Sequence, residues 1–499
     1  MLDVLLTHSY HLFFDRKQAR KMKPYPPLGT LYAAALLREK GFSVALFDSM
    51  LENPEEGFER VLAKHQPRIV VVYEDNFNFL TKMCLTRMRE VAYAMLEQSK
   101  AVRAITVVNG SDATDHLSDY LRRGFDYLLV GEAEWTLLEL VQRLLCTPTS
   151  PVNDIRGLAY LDPPGQRIVQ TAPRGLMPCL DDLPFPAWDL IDGDRYRSVW
   201  SQAHGYFSMN MVSSRGCPYH CNWCAKPIYG TSYNARSPEK VAEEMRLLKD
   251  TFNPQHLWFA DDIFALRPRW TERFAQAVQE LDAGIPFQMQ SRVDLITSGT
   301  ASDLARAGCA EVWMGAESGS QKILNAMEKG SQVEQILQAR HNLKAAGIRA
   351  CFFLQFGYPG ETWEDIRSTI NLVRRARPDD IGVSVSYPLP GTKFHSKVQA
   401  QLQTKTNWED SEDLAMMFKG IYTDDFYHAL HDALHLEVDL TKVPVSGNGN
   451  GNKRTAAEGT GRNRSQELAS LWARVAELES CCRNASQESG GSSQNCEVF

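Results

Sequence analysis

The chain of 499 residues lacks the features that mark membrane, secreted or nucleic-acid-binding proteins. No apolar run approaches the length of about 20 residues that a membrane-spanning helix needs. The net charge is −7, so the chain has no basic excess of the kind that binds nucleic acid. The N-terminus MLDVLLTHSYHLFF has no basic segment and carries Asp3 early, which predicts a first strand rather than a signal peptide.

Cysteine is infrequent and unevenly spaced, with 11 in 499 residues, which does not indicate a disulfide framework in so long a chain. We therefore expect free thiols and a reducing, cytoplasmic location. Hydrophobic residues make up 43% of the chain and charged residues 23%, which is typical of a soluble globular protein. Since the length exceeds what one hydrophobic core supports, we expect two or more domains.

Three of the cysteines stand close together, and no fourth follows nearby. Cys217, Cys221 and Cys224 are spaced C-x-x-x-C-x-x-C. Three thiolates on a cuboidal 4Fe–4S cluster leave one iron without a protein ligand, and an open position is what a metal site needs to bind a cosubstrate. Gly216 and Pro218 beside the first cysteine predict a loop, which can wrap a cluster.

Residues 1–147 alternate short β-rich runs with amphipathic segments, which predicts an α/β domain built on a doubly wound parallel sheet. Ligands of such sheets bind at the carboxyl ends of the strands. Residues 148–205 are rich in proline, glycine and aspartate and predict a linker, with one hairpin around Gly157–Val169. The five predicted strands of the first domain are Val4–Thr7, Ser43–Phe47, Ile69–Tyr73, Ile105–Asn109 and Tyr127–Val130.

Residues 206–400 contain a second alternating series of six βα units, which predicts a partial (β/α)6 barrel with its chemistry at the C-terminal ends of the strands. Residues 401–440 predict a small helical segment. The tail, 441–499, begins with Gly–Asn repeats and is expected to be mostly disordered, apart from a helix of about two heptads near Leu471. The predicted barrel strands are Phe207–Ser213, His256–Ala260, Phe287–Ser291, Glu311–Gly315, Ala350–Phe356 and Ile381–Ser386.

Polar or turn-forming residues follow the barrel strands in order. A zwitterionic cosubstrate with a ribose needs carboxylates for its ammonium group and hydroxyls, and close backbone for its adenine. Carboxylates at the strand ends supply the first need, and Gly/Pro turns supply the second. The candidate residues at the successive strand ends are Asp261 with Asp262, Arg292, Glu317 with Ser318, Gly357 and Tyr387.

The strings ADDIF, QSRVDLIT, GAESGSQKILNAMEKG, FGYPGETWED and YPLPGTKF, behind the cysteine loop, resemble strand-end motifs of cobalamin-linked radical S-adenosylmethionine (SAM) enzymes. That family includes the anaerobic Mg-protoporphyrin monomethyl ester cyclase and several methyltransferases. In it the open iron chelates SAM, and an electron from the cluster cleaves SAM to a 5′-deoxyadenosyl radical. The resemblance covers residues 1–440.

The resemblance also implies roles for individual residues. Asp261 or Asp262 would contact the methionyl ammonium of SAM, and Glu317 with Ser318 its ribose or amino-acid end. Trp223 falls where the family has an aromatic residue near the adenine, although packing of the loop explains it equally. Arg292 is either a carboxylate clamp or a structural ion pair.

In the first domain, PYPPLGTLYAAALLREKGFSVALFD and DYLLVGEAEWTLLELVQRLL resemble the cobalamin-binding domain of the same family. The chain departs from domains that supply an axial histidine through D-x-H-x-x-G. His8 and His11 follow the first strand without that aspartate or glycine, and loop histidines more often serve packing or hydrogen bonding. Asn109 replaces the first glycine of a pair after the fourth strand. Both cobalamin binding and a degenerate domain stay open.

By implication, the reaction is methylation of an unactivated carbon of a small-molecule substrate, with one SAM donating the methyl group through cobalamin and a second giving the radical. The electron donor would be a flavodoxin or ferredoxin. An oxidative cyclase or another radical rearrangement without methyl transfer is the first alternative. The second is a non-catalytic protein with an iron–sulfur cluster or with zinc on the three cysteines and His220. Zinc sites usually pair two short ligand clusters, and no second cluster lies near.

Overall fold

The computed structural model describes residues 1–78, 85–162, 165, 167–226, 228–402, 408, 414, 416–442 and 454–489. Its first sheet has seven strands in the order β2-β1-β3-β4-β5-β6-β7. The pairs among β1 to β5 are parallel, as predicted, and the last two strands are antiparallel. These strands are β1 (Val4–Thr7), β2 (Val44–Phe47), β3 (Ile69–Tyr73), β4 (Ile105–Asn109), β5 (Tyr127–Leu129), β6 (Leu158–Leu161) and β7 (Ile168–Gln170).

Helices cover this sheet, and the sequence of β3 shows why. It reads IVVVY and is buried at every position, as expected of a strand whose two faces are both covered. The strand order reverses between β1 and β3, so the carboxyl ends of these strands form the crevice where such sheets bind ligands. The helices are α1 (Arg16–Lys21), α2 (Leu28–Glu39), α3 (Pro54–His65), α4 (Thr86–Ala101), α5 (Ser111–Asp115), α6 (Leu117–Arg123) and α7 (Glu134–Cys146).

The second sheet is the predicted partial barrel of six parallel strands, in the order β15-β14-β13-β12-β11-β8. The barrel strands are β8 (Ser208–Met211), β11 (His256–Phe259), β12 (Phe287–Ser291), β13 (Cys309–Glu317), β14 (Arg349–Phe356) and β15 (Asp380–Val385), and a small ribbon joins β9 (Ser214–Arg215) to β10 (Asn234–Ala235). The helices around it are α9 (Pro238–Phe252), α10 (Pro268–Glu280), α11 (Ser298–Arg306), α12 (Gln321–Ala326), α13 (Val333–Ala345), α14 (Trp363–Ala376) and α15 (Lys393–Val398). Short 3-10 helices occur at Leu12–Phe14, Leu180–Asp182, Trp188–Leu190, Val293–Leu295 and Gln399–Gln401.

The segment 148–205 is more structured than the predicted linker. Its hairpin pairs with β5, with Leu128 opposite Ala159, so the first sheet extends beyond residue 147. Helix α8, Gly193–His204, occupies its end. The proline and glycine content that predicts a linker reflects turns between these elements instead. The amphipathic pattern of Leu80–Gln98 also predicts a helix. Its start falls among residues 79–84, outside the described residues, and the described helix is α4 (Thr86–Ala101).

The C-terminal region contains α16 (Asp424–Thr441) and α17 (Arg454–Ser489). Helix α17 is much longer than the predicted two heptads, and it packs on α16. The indole of Trp472 donates a 2.9 Å hydrogen bond to Glu437 on α16, and Val475 is buried. Residues 443–453 and 490–499 of the predicted disordered tail lie outside the described residues. Within the described parts, no helix is long and apolar enough to cross a membrane.

The first domain packs directly against the barrel at the segment that precedes α2. The hydroxyl of Tyr25 is 3.2 Å from that of Ser208 on β8, and its ring lies 4.8 Å from the ring of Trp258 on β11. The amide of Asn210 donates to the carbonyl of Pro26 at 3.0 Å. These contacts hold the two sheets beside each other.

Candidate cluster and cosubstrate site

The three cysteines lie on the loop between β9 and β10, and all three are partly buried. Gly216 adopts a φ of +76°, and a side chain there would place its Cβ 2.2 Å from the carbonyl oxygen of Ser232, so only glycine fits. The ammonium group of Lys226 donates to the carbonyls of Cys217, at 2.8 Å, and of Tyr219. These contacts fold the loop around its own cysteines.

Asn222 fastens this loop to the opposite side of the barrel. Its side-chain amide donates to the carbonyl of Ala326 at 2.8 Å, and its backbone N–H donates to the carbonyl of Met327 at 3.0 Å. Its amide oxygen accepts a 3.1 Å hydrogen bond from the hydroxyl of Tyr358. Sequence reasoning missed Asn222, because the role depends on partners more than 100 residues away.

Arg292, at the end of β12, faces the cysteine loop. Its guanidinium carbon lies 3.8 Å above the ring of Tyr219, and Nη1 is 3.8 Å from Sγ of Cys221. The carboxylate of Asp294 holds the guanidinium with contacts of 2.9 and 3.2 Å. Burial lowers the pKa of Arg292, but Asp294 and the Cys221 thiolate outweigh that effect and raise it. Arg292 thus has a structural ion pair and also turns a positive charge toward a predicted cluster ligand.

Glu317 lies at a bulge at the end of β13 and has a φ of +60°, which is unusual for a non-glycine residue. Its carboxylate accepts a 2.7 Å hydrogen bond from Lys329, and both side chains are buried. Burial lowers the pKa of Lys329, but the charges of Glu317 and Cys221 outweigh it, so the net pKa is raised. Lys329, which the sequence analysis did not single out, therefore links Glu317 to the cysteine loop.

The two aspartates after β11 have different environments. Asp261 is buried and accepts hydrogen bonds from the backbone and hydroxyl of Ser213 and from the hydroxyl of Ser214. Burial raises the pKa of Asp261 to about 6 despite these bonds. Asp262 is exposed, and its charge contributes to raising the pKa of Cys217. Of the pair, Asp261 braces the backbone before the cysteine loop, whereas Asp262 is exposed and near enough to the loop for its charge to act on Cys217.

Ser318 lies in the turn directly after β13. It is fully buried, its hydroxyl is 3.1 Å from that of Thr369, and it accepts from the backbone N–H of Ser320. The contact of Ser318 with SAM that the resemblance implies stays a prediction, and what the structure shows is its contact with Thr369 within the turn after β13. The sequence does not reveal this, because Thr369 lies on a distant helix.

Gly357 and Tyr387 are covered by the C-terminal segment. A Cβ at Gly357 would lie 2.2 Å from the sulfur of Met416 and 3.0 Å from the hydroxyl of Tyr427. The ring of Tyr387 packs edge-on against Trp408 at 5.1 Å. Both residues remain at strand ends, as predicted, but their immediate neighbours are these side chains.

The cysteine loop fits a three-thiolate cluster by the chemistry of its donors. Burial raises the pKa of the Cys217 thiol, with a further contribution from the charge of Cys221, so metal binding must release the proton of Cys217. Arg292 and Lys329 supply two positive charges beside Cys221. Each thiolate of a cubane binds a different iron, so these sulfurs need not converge on one point. In the described residues, no three His, Cys, Asp or Glu side chains are grouped around a single-ion position.

Trp223 lies between the second and third cysteines. Its ring centroid is 6.0 Å from the ammonium nitrogen of Lys329. The indole N–H is buried and has no hydrogen-bond partner in the described structure. A buried donor without a partner is costly, so it marks a position where a bound acceptor is expected.

The carboxyl edge of the first sheet has similar features. The amide oxygen of Asn76 and the hydroxyl of Ser111 are buried and unpartnered among the described residues. A Cβ at Gly110 would lie 2.8 Å from Glu74, so backbone rather than a side chain lies at this point of the edge. Unsatisfied polar groups at the ligand-binding edge of a doubly wound sheet fit a bound cofactor such as cobalamin.

Both histidines after β1 have structural partners. His8 is buried, with Nε2 3.0 Å from Asp48 and Nδ1 3.2 Å from the hydroxyl of Ser49. His11 is 2.8 Å from the carbonyl of Ser49 through Nδ1, and its ring packs against Phe14. They serve packing and hydrogen bonding, as expected for loop histidines. Because both ring nitrogens of His8 are engaged, it offers no free position to a cobalt ion.

Asn109 is also directed into the protein. Its amide donates to the carbonyls of Leu129, at 2.9 Å, and Gly131, at 3.3 Å, and its oxygen accepts from Asn76 at 2.9 Å. The side chain is completely buried. It therefore ties together the ends of neighbouring strands.

Comparison with known proteins agrees with this geometry. A model of the radical SAM superfamily matches residues 211–373, and a model of the B12 binding domain matches residues 23–141. Residues 211–373 thus form a radical SAM domain, and residues 23–141 form a B12-binding domain. The first match contains the cysteine loop and five of the six barrel strands' ends, and the second contains β2 to β5.

Several curated proteins are similar over most of the chain. An uncharacterized methyltransferase of Pyrococcus horikoshii is 26% identical over 77% of this chain and 81% of its own length. The hopanoid C-3 methylase of Methylococcus capsulatus is 24% identical, over 76% of this chain and 70% of its own. The anaerobic magnesium-protoporphyrin IX monomethyl ester cyclase of Rubrivivax gelatinosus is 24% identical over 73% of this chain. This chain spans only 65% of that cyclase.

Two solved structures share the whole architecture. The cobalamin-dependent SAM radical enzyme OxsB, with aqua-cobalamin bound, has a TM-score of 0.69 at 17% identity, covering 94% of this chain and 72% of OxsB. The radical SAM methyltransferase TsrM of Kitasatospora setae has a TM-score of 0.67 at 17% identity, covering 95% of this chain and all of TsrM. At this identity the likeness establishes the fold.

Proposed function

We propose that this radical SAM enzyme methylates an unactivated carbon of a small-molecule substrate, using SAM, a 4Fe–4S cluster and cobalamin. The observation that carries the proposal is that one chain packs a B12-binding domain directly against the barrel that holds the three-cysteine loop. This arrangement brings a methyl carrier and a radical source to one junction. The methyltransferase and methylase names of two relatives support the choice of reaction.

We assign the cluster to Cys217, Cys221 and Cys224. When bound, the cluster supplies the electron that cleaves SAM, and cobalamin supplies a carrier for the methyl group. Arg292 offsets the negative charge of the thiolates, and its guanidinium lies beside Cys221. Asp262, exposed beside the loop, is the better placed of the two aspartates to accept the ammonium group of SAM.

Glu317, Lys329 and Trp223 form the other side of the proposed SAM site. Lys329 presents a buried cation between the Glu317 carboxylate and the cysteine loop, where it can pair with the carboxylate of SAM. Trp223 presents its unpartnered indole N–H in the same region. The dry surroundings of these groups strengthen their interactions with a charged cosubstrate and exclude water from a reactive radical.

The test is product analysis with anaerobically reconstituted protein. The protein is incubated with SAM, hydroxocobalamin and flavodoxin as electron donor, together with a cell extract as substrate source. A methyltransferase forms 5′-deoxyadenosine and S-adenosylhomocysteine in step and transfers label from methyl-labelled SAM to an extract component. 5′-Deoxyadenosine without S-adenosylhomocysteine or label transfer would favour the cyclase alternative, and absence of both products would contradict the enzyme assignment.

A further inference from the structure

A group of buried ion pairs joins the two domains immediately before Cys217, the first of the three cysteines. Arg215 lies on β9, and only 4% of its side chain is exposed. One arm of its guanidinium bonds to Glu132, and the other to Glu134 at 2.8 Å. Both glutamates follow β5, at the carboxyl edge of the first sheet. The planar fork of arginine suits this pairing with two carboxylates in a way that lysine does not.

The surroundings of Arg215 exclude water. The guanidinium carbon lies 5.3–5.5 Å from the ring centroids of Tyr32, Phe77 and Tyr229. Tyr32 and Phe77 belong to the first domain, and Tyr229 to the cysteine loop. Since the rings come from both sides, the guanidinium cannot shift relative to one domain without disturbing its packing against the other.

On the barrel side, the ion-paired Arg215 directly precedes the cysteine loop in the chain. Arg215 is followed by Gly216, where an added Cβ would lie too close to the carbonyl of Ser232 for any side chain to fit. Cys217 is the next residue. Because there is so little free space at Gly216, we expect a displacement of Arg215 to reach Cys217.

On the other side, hydrogen bonds lead back to the cofactor edge of the first domain. The amide of Asn109 contacts the carbonyl of Gly131 at 3.3 Å, next to Glu132. Asn109 also accepts a 2.9 Å bond from Asn76, whose own amide oxygen is buried without a partner in the described structure. A cofactor bound at this edge can contact the unpartnered oxygen of Asn76, which is the first residue of the path to Arg215.

We propose that Arg215 is a positioning residue that couples occupancy of the first domain to the geometry of the cysteine loop, so that bound cobalamin tightens the binding of SAM. The coupling runs through Asn76, Asn109, Glu132 and Arg215. It rests on the proposed function, since it requires that both ligands bind. Because linkage is reciprocal, bound SAM tightens cobalamin by the same factor.

The experiment measures binding rather than turnover. Full-length protein with a reconstituted, oxidised cluster is titrated anaerobically with SAM in a calorimeter, with and without saturating hydroxocobalamin. No reductant is present, so SAM is not cleaved. For the wild type we expect the Kd for SAM to fall about fivefold or more when cobalamin is bound, within the usual range of coupling between sites.

Three variants test the path. Arg215→Lys keeps the charge but loses the fork, Glu134→Gln removes one carboxylate at nearly constant shape, and Asn109→Ala breaks the connection to the cofactor edge. Each should bind both ligands. The coupling ratio, which is the Kd for SAM without cobalamin divided by the Kd with cobalamin, should fall toward one. If Arg215→Lys does not fold, the other two variants still decide the question.

Arg236→Lys is the matched control. Arg236 is as buried as Arg215 and also pairs with a carboxylate, but that partner, Glu244, is in its own domain. Its contact with the first domain is a neutral hydroxyl, that of Tyr32. This variant should lose stability and keep the coupling ratio of the wild type.

The outcomes separate the two proposals. A wild-type ratio of one or below, with both ligands bound, overturns the coupling and leaves the proposed function intact. A normal ratio in Arg215→Lys, Glu134→Gln and Asn109→Ala overturns the role of Arg215 and its path. Failure of the wild type to retain any corrinoid after gel filtration overturns both.

Discussion

Lys329 and Glu317 form a buried ion pair of 2.7 Å between the end of β13 and the cysteine loop. The pair is held at a backbone bulge, and its lysine also faces Cys221 and the ring of Trp223. The loop that would carry the cluster and the strand end that would carry SAM are therefore linked by one cation. The first prediction concerns this pair.

Replacing Lys329 with Met should destabilise the protein strongly, because it leaves the Glu317 carboxylate buried without its partner. Breaking a buried pair in this way costs about 3–5 kcal/mol. We expect the loss in chemical denaturation, and a weaker affinity for SAM in calorimetry. Lys322→Met is the control, since Lys322 is largely exposed and its pair with Asp365 should be worth less than about 1 kcal/mol. Equal losses in both variants would contradict the role of Lys329.

Gly315→Ala should weaken SAM binding without unfolding the protein. A Cβ at Gly315 would lie 2.5 Å from the carboxylate of Glu317 and 2.6 Å from the ammonium of Lys329. Both atoms end flexible side chains, so they can move aside, but the pair then loses its geometry. We expect the Kd for SAM to rise about tenfold, equivalent to about 1.4 kcal/mol. Gly284→Ala, where the added methyl group meets nothing within 4 Å, should leave the Kd unchanged.

Cys221→Ala should abolish both the cluster and SAM cleavage, because the two remaining thiolates do not hold a cubane that needs three. The measurements are iron and sulfide content after anaerobic reconstitution and the formation of 5′-deoxyadenosine. Cys146→Ala, at an exposed cysteine in the first domain, serves as control and should keep the wild-type iron content. Full cleavage activity in Cys221→Ala would refute the ligand assignment.

Because the carboxyl of Glu361 is buried, we predict that the stability of the protein depends on pH. This carboxyl accepts a 2.6 Å bond from the N–H of Gly357, and its other oxygen has no partner among the described residues. Burial raises the pKa of Glu361 from 4.5 to about 8. The folded state thus holds a proton that the unfolded state releases above about pH 4.5. The stabilisation is complete below that pH and is lost progressively as the pH rises to about 8.

Glu361→Gln, which is neutral and of nearly the same shape, should remove this slope. Relative to the wild type, the variant should gain several kcal/mol between pH 4 and pH 8, since each unit of pKa shift corresponds to about 1.4 kcal/mol. The measurement is the free energy of unfolding across that range. Glu364→Gln, at an exposed neighbour, should follow the wild-type curve. If the free energy of unfolding of the wild type and of Glu361→Gln changed with pH in parallel, folding would not raise the pKa of Glu361.

Much of the architecture was predictable from local patterns. Strands such as Ile69–Tyr73 and Phe287–Ser291 have the same bounds in the sequence prediction and in the structure, because a continuous or alternating apolar run specifies a strand by itself. The end of the first domain was not predictable in this way. The sequence predicts the hairpin around Gly157–Val169, but only its pairing with β5 shows that it extends the first sheet past residue 147.

The candidate site divides along the same line. The sequence alone determined the three-cysteine loop, the order of polar groups at the strand ends and the two-domain plan, since spacing and periodicity are local properties. Only the tertiary structure decided that Asp261 braces the backbone while Asp262 is exposed, that Ser318 is buried, and that α17 packs on α16. It also supplied Lys329, Asn222 and Arg215, because their roles come from charges and carbonyls brought close by folding from distant parts of the chain.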